Sequence, residues 1–499
     1  MTKEKSFFGH PIGLSTLFAT EMWERFSYYG MRALLVLYLT AELVNGGFGL
    51  GREAALEIYA IFTGLVYLTP IIGGWVSDNF FGQRKTVYIG GLVMAFGQLL
   101  LAASALLFQS AEASSDTRQF IFNFGLGVLI IGNGFFKPNI STVVGDFYSN
   151  NDPRKDSAFN IFYLGINLGA ILGTFIAGGL GESVTWGYGF LAAGIGMTLG
   201  VLWLKARENT LEQFGLPPNS PKDKKVLDAK DWITIFIWTA GLIIATYILM
   251  FVWGLLPEMV KTVITYGGFA AIILGLAYTI VKGTNGADEW SRMAVIITLA
   301  VFNIVFWAGF EQAGGTFSLF AKENVNRIMF GWEMPATWFQ NVNSFSILLF
   351  ASFFSVMWIW LDKRGWNPRT PMKFALGFFL GALAFFVMTQ AQGVADTGVK
   401  VSPWWLVSVY VLLTLGELML SPIGLSMITK LAPAKLVSVV MGLWMASFAA
   451  GNFMAGMLEG ILNKFDYPLY PFIMWVMIII GVLTVLLSPL LNKAMKGIH

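Results

Sequence analysis

No cysteine occurs among the 499 residues, which excludes disulfides, thiolate metal sites and cysteine nucleophiles. Histidine is nearly absent too: only His10 and His499 are present, both near chain ends, so neither a histidine metal cluster nor a buried imidazole relay is available. Charge is scarce. Asp, Glu, Lys and Arg make up 12% of the chain, about half the share of a soluble protein. The net charge of +3 is too small to argue for nucleic acid. The opening MTKEKSFFGHPIG has no apolar core ahead of a cleavage site, so no removable signal peptide is expected.

What is present is oil. Hydrophobic residues make up 56% of the chain and the mean hydropathy is +0.67. Apolar runs long enough to span a bilayer recur along it, and 55 glycines suit close helix packing there. We read fourteen spans, at roughly 14–39, 57–77, 87–109, 120–143, 157–178 and 188–204, then 232–255 and 262–281, then 293–320, 338–361, 372–391, 404–429, 437–460 and 469–492. A polar linker, Lys205 to Asp231, separates the first six from the rest. With the N-terminus inside, 22 of the 32 Lys and Arg fall on the cytoplasmic side and seven outside, among them Arg118, with three within spans. That bias places both termini in the cytoplasm.

The six-two-six layout predicts an all-α integral membrane fold of two six-helix bundles, residues 1–204 and 292–499, with a linker and inserted helix pair at 205–291. An echo between the halves supports it. WVSDNFFGQRKT follows the second span of the first half and WLDKRGWNPRT the second span of the later half, each with an Asp, a Gly and a basic cluster. Parallel six-span repeats imply a substrate site near the midplane and alternating access by rocking.

The first span breaks the apolar rule. In ATEMWERFSYYGMRALLVLYL it carries Glu21, Glu24, Arg25 and Arg32. With Tyr28 these fall within an arc of about 100° on a helix. Lys137 in GNGFFKPN, Glu311 in FWAGFEQAG and Glu417 in LLTLGELMLSPIG add three more charges within spans. Each is costly in a bilayer and marks a functional site. Four acids face three bases, and a surplus carboxylate in an apolar place is a natural proton acceptor. By depth, Arg32 suits pairing with Glu311 as an outer gate, and Lys137 with Glu417 at or below the midplane. Such pairs act as switches, because removing one member strands the other. Polar glue between helices is the plainer alternative, but Ser, Thr or Asn usually supply it.

Prolines at 70, 138 and 422 can bend their helices. Tyr28, Tyr29, Tyr67, Trp307 and Trp444 are candidates for an aromatic pocket wall. Asn167 and Asn343 are amides needing partners that a ligand backbone can supply.

EMWERFSYYG, GGWVSDNFFGQRKTV, FYLGINLGA, FFKPN, FEQ, GELMLSPIGLS and TKLAP, in that order, make the chain resemble the proton-coupled oligopeptide transporters, the POT family of the major facilitator superfamily. The resemblance covers nearly the whole chain, including the inserted pair seen in bacterial members. It implies a symporter importing di- and tripeptides with protons, in the bacterial inner membrane, monomeric, with no cofactor. It assigns Glu21, Glu24, Arg25, Lys137 and Glu311 to proton coupling. Arg25, Arg32 and Lys137 would form the positive side of the pocket, and Glu417 would face the peptide ammonium with Asn167 and Asn343 beside it. Tyr28, Tyr29, Tyr67, Trp307, Glu311, Trp444 and Ser447 complete the expected lining, with Arg32, Glu311, Lys137 and Glu417 as gate residues. Two positions depart from the pattern: Phe310 stands where some relatives carry a second acid, and Ser344 where a proline is common.

The rival readings are weaker. A carrier for nitrate or another small anion gains nothing from Glu417 in its pocket. A membrane enzyme needs a nucleophile with its base, and the sequence offers no convincing pair. A channel needs repeated rings around a pore, which two unlike halves do not suggest.

Overall fold

In the computed structural model the described residues are 6–108, 116–149, 152, 154–221, 226–433 and 435–496. Linker residues 222–225 and the two chain ends, with three of the basic residues counted in the linker and two at the N-terminus, lie outside them. A two-stranded hairpin, β1 (Ser6–Phe7) and β2 (His10–Pro11), precedes the first helix. The helices are α1 (Gly13–Thr40), α2 (Arg52–Val76), α3 (Gly82–Leu107), α4 (Asp116–Asp146), α5 (Arg154–Gly173), α6 (Gly179–Ser183), α7 (Trp186–Ala206), α8 (Ala229–Leu255) and α9 (Glu258–Gly283). They continue with α10 (Gly286–Phe310), α11 (Thr316–Glu323), a hairpin of β3 (Ile328–Met329) and β4 (Trp332–Glu333), α12 (Asn341–Lys363), α13 (Thr370–Ala395), α14 (Pro403–Leu431), α15 (Val437–Asn463) and α16 (Leu469–Ala494).

Two short helices are continuations. α6 prolongs α5 through a π-helical turn, Thr174–Gly178, and α11 prolongs α10 through a 3₁₀ turn, Glu311–Gly314. Joined so, the helices make the fourteen spans read from the sequence, in the same order. Twelve described segments are apolar and long enough to cross a membrane. One of them, Arg52–Leu107, contains both α2 and α3, and α1 falls outside the set. α1 fails the hydropathy test because it carries the four charges that make it interesting.

The chain divides into two compact units, one of residues 1–52 and 65–255, the other of 53–64 and 256–499. The first turns of α2 therefore belong with the second unit. The inserted pair is divided as well: α8 goes with the first unit and α9 with the second.

In the first unit, α5 lies directly against the α1 backbone. FYLGINLGAILG carries Gly165, Gly169 and Gly173 at four-residue spacing, a stripe on one helix face. A Cβ at Gly169 would collide with the Met22 carbonyl, and one at Gly173 with that of Phe26. Only glycine permits this approach, which also brings the Arg25 Cβ up beside Gly169.

The polar linker is not a loose tether. Its 3₁₀ turn, Glu208–Leu211, and the residues after it lie on the ends of α1, α3 and α4. Arg84 donates from Nε to the Phe214 carbonyl at 2.5 Å and from Nη2 to the Glu212 carbonyl, and its backbone N–H bonds Gly215 O at 2.7 Å. Tyr88 donates to Glu208 at 3.2 Å, and Thr16 and Thr210 share a hydroxyl bond of 2.8 Å. Lys85 pairs with Asp231 at the start of α8 at 2.7 Å, while the Lys205 ammonium sits 3.6 Å from the centre of the Trp232 ring. The basic cluster expected to decorate a short loop is thus consumed within its own unit.

The echo between halves is structural. In the first half the Gln83 amide donates to Asp78, and in the second the Asn367 amide donates to Asp362, each across five residues. Gly82 and Gly365 adopt φ of +71° and +70° in the two turns, a conformation that favours glycine. Arg118, counted on the outer side, lies in the first turn of α4 and is fully buried. It donates to the Gly46 and Gly47 carbonyls and the Tyr38 hydroxyl, and stacks 4.3 Å from the Phe48 ring centre. These acceptors make burial tolerable where hydropathy alone would send the arginine to water.

Candidate functional site

The first unit gathers one set of charges. Helical spacing puts Glu21, Glu24 and Arg25 at i, i+3 and i+4, and they meet. Arg25 Nε donates to Glu21 Oε1 at 2.8 Å and lies 2.5 Å from Glu24 Oε2. All three are essentially closed to solvent, with Glu24 at 0% exposure. Arg25 Nη2 and Glu21 Oε2 have no hydrogen-bond partner among the described residues. One guanidinium thus serves two carboxylates and keeps an unused donor.

Sequence reasoning passed over the residue that completes this triad. Asn133 on α4 donates from Nδ2 to Glu24 Oε1 at 3.1 Å. The signal was there: Asn133 lies four residues before Lys137, on the same helix face. The Lys137 ammonium stands 4.1 Å from the centre of the Tyr67 ring. Further along α1, Arg25 lies 5.7 Å from the Tyr28 ring centre and Arg32 5.7 Å from that of Tyr29, and the two tyrosine rings meet edge to face at 5.3 Å. The predicted polar face of α1 therefore sets cations beside aromatic faces, which attract them. Asn167, on α5, is buried and already satisfied in part, its amide donating to the Tyr163 carbonyl at 3.0 Å.

The second unit gathers the rest. Asn343 on α12 donates from Nδ2 both to Glu417 Oε2 and to Thr414 Oγ1, each at 3.0 Å. This bond orients the carboxylate. Glu311 stands where α10 gives way to the 3₁₀ turn, 2% exposed, and accepts a 3.4 Å bond from the Tyr59 hydroxyl. Tyr59 was not expected there; it lies in the part of α2 that belongs with this unit.

Trp307 and Ser447 are joined by hydrogen bonds within the second unit. Trp307 Nε1 donates to Asn303 Oδ1 at 3.1 Å, Asn303 donates to Ser447 Oγ at 2.8 Å, and Ser447 donates to the Trp444 carbonyl at 2.6 Å. This chain ties α10 to α15. Trp444 is fully buried, its ring seated where Gly424 leaves room, and its indole N–H has no partner among the described residues.

The profile of the POT family matches residues 84–476. The chain is 38% identical over 500 residues to the uncharacterized transporter YclF of Bacillus subtilis (strain 168), spanning 99% of this chain and 97% of that protein. It is 37% identical to the peptide transporter YePEPT of Yersinia enterocolitica subsp. palearctica serotype O:3 (strain YE-P4), over 94% of this chain and 91% of that one. Among solved structures, a crystal structure of peptide transporter POT in complex with sulfate superposes with a TM-score of 0.84 at 34% identity, over 99% of this chain and 98% of the other. By profile, sequence and fold, the chain belongs to the POT family.

Proposed function

We propose that this protein is a proton-coupled symporter that imports di- and tripeptides by alternating access, each chain working alone in a bacterial inner membrane with both termini in the cytoplasm. The observation that carries the reading is the buried Glu21–Arg25–Glu24 triad in the middle of a spanning helix. Two carboxylates sharing one cation in an apolar surround make a site for one proton, since desolvation and like charge both favour a neutral acid. Protonating one carboxyl frees part of the guanidinium. In this reading the bundles of residues 1–204 and 292–499 rock about the substrate, while the 205–291 segment rides along, α8 on the first and α9 on the second.

The same residues suit a zwitterion. Arg25, Arg32 and Lys137 offer cations to a peptide carboxylate, and Glu417 offers its charge to the ammonium. The Asn343 bond supports this role for Glu417. Backbone and termini are common to all peptides, so such a carrier is promiscuous. The crystal structure of a related transporter with alafosfalin, 35% identical to this chain, accords with a peptide-like ligand.

Uptake of labelled dialanine into proteoliposomes under an imposed proton gradient tests the proposal, and transport indifferent to the gradient refutes it. Glu417→Gln keeps an oxygen for Asn343 but removes the charge. Peptides with a free amino terminus should bind about tenfold more weakly, while N-acetylated peptides lose less. Equal losses for both would assign Glu417 to gating. For topology, a cysteine at Ser220 in the linker should resist an impermeant thiol reagent added outside intact cells; strong labelling reverses the proposed orientation.

A further inference from the structure

Below Lys137, α4 continues for two and a half turns, and its end forms a shallow cavity, largely open to solvent, with the start of α5. The cavity measures about 490 Å³ and is lined by Ser141, Thr142, Gly145, Asp146, Tyr148, Lys155 and Phe159, all within the first unit. Its chemistry is that of a zwitterion receptor: one ammonium, one carboxylate, three hydroxyls (one of them the Tyr148 phenol) and a phenyl ring. Lys155 acts electrostatically on the Asp146 carboxylate, and in the turn beside them Arg154 donates to Asp152 at 2.9 Å and 3.1 Å. Tyr148, on the cavity wall, is fixed from behind by a 2.9 Å bond between its hydroxyl and His10 Nδ1 on β2.

The cavity's position is as telling as its contents. Lys137, Ser141 and Gly145 succeed one another at four-residue spacing, so they form one stripe along α4, about 6 Å per step. Ser141 Oγ lies 3.5 Å from the Lys137 carbonyl, which places the first hydroxyl of the cavity one turn from the lysine assigned to the substrate carboxylate. At Gly145 the absence of a side chain leaves the Lys155 stem and the Phe159 ring as the nearest atoms, at 4.0 and 3.7 Å from where a Cβ would stand. A larger residue would fill the cavity mouth.

We infer that this cavity is a second peptide site on the release path, where Lys155 takes over the substrate carboxylate from Lys137, Asp146 faces the ammonium, and Ser141 and Thr142 bond the peptide backbone. The inference rests on the transport function and orientation proposed above. The site would hold peptide weakly, because Thr142 and Asp146 are open to solvent and their interactions are screened. A staging post of this kind shortens the step from the central pocket to bulk water.

The test is an asymmetry between the two faces of the membrane. Proteoliposomes of known protein orientation are loaded with, or bathed in, labelled dialanine, and half-saturation is measured from each side. Lys155→Gln should raise the half-saturation at the inner face about two- to fivefold more than at the outer face, and Lys155→Arg should restore it. The C-terminal amide of dialanine, lacking the carboxylate, should show no such asymmetry. Equal shifts at both faces, no shift at either, or an amide as sensitive as dialanine would overturn the inference. A parent protein that moves no dialanine would fail differently, refuting the transport reading itself, whereas loss of the asymmetry alone leaves that reading standing.

Discussion

Liposomes carrying Glu24→Gln are expected to lose concentrative uptake of dialanine while still exchanging peptide for peptide. Glutamine has the shape of the neutral acid, so the variant is held in the form that protonation would create. Asn133 can still donate to the amide oxygen, and Arg25 keeps Glu21 at 2.8 Å. What disappears is the ability to release the proton and reset. One charge moved through 100 mV is worth about 2.3 kcal/mol, or an accumulation of about fortyfold. Accumulation should therefore fall from tens-fold toward unity, with exchange at a sizeable fraction of the parent rate. Measuring both in one preparation separates coupling from folding, since a misfolded variant loses both. Parent-level uptake in the variant would remove Glu24 from the coupling role.

The second large effect is expected at Lys137. Lys137→Ala removes a cation that stands over the Tyr67 ring in the middle of the spanning region. If the ammonium receives the substrate carboxylate, its loss costs about 2 kcal/mol, a rise in half-saturation of about thirtyfold. If Lys137 also belongs to the coupling set, as proposed, gradient-driven uptake should fall further than exchange. Peptides amidated at the C-terminus supply the control: their half-saturation should change little. An equal loss for acid and amide would make Lys137 a gate or a packing element.

The spans were legible because a bilayer demands long apolar runs, and a hydropathy reading detects such runs directly. α1 is the instructive exception: fourfold charge hid it from that criterion, yet the regular spacing of Glu21, Glu24 and Arg25 predicted the contact that the structure contains. Partners across helices were harder to see. Asn133 and Tyr59 are polar residues without charge in apolar runs, and nothing in their local sequence says which acid they will meet. The burial of Arg118 was hidden for a related reason, since the carbonyls that accept from it lie far off in the sequence. The linker misled most. Its composition is that of a solvated tether, but Arg84, Lys85 and Tyr88 on α3 are shaped to bind its carbonyls and acids, a long-range match invisible to a window of neighbouring residues. The hydrogen bonds that Asn303 makes with Trp307 and Ser447 were hidden in the same way, since nothing local to either residue points to it.

The glycine stripe of α5 bears on how any proton-driven motion can travel. Gly165, Gly169 and Gly173 make notches at one-turn intervals, and in two of them a carbonyl of α1 rests almost on bare backbone. Such a surface works like a toothed rack. A slip shorter than a full turn, about 6 Å, would drive those carbonyls into the walls between notches. Small displacements of α1 are thereby forbidden to slide and must be transmitted. If Arg25 loosens from its acids in the proposed cycle and α1 tilts, α5 has to follow, carrying Lys155 on its first turn with it.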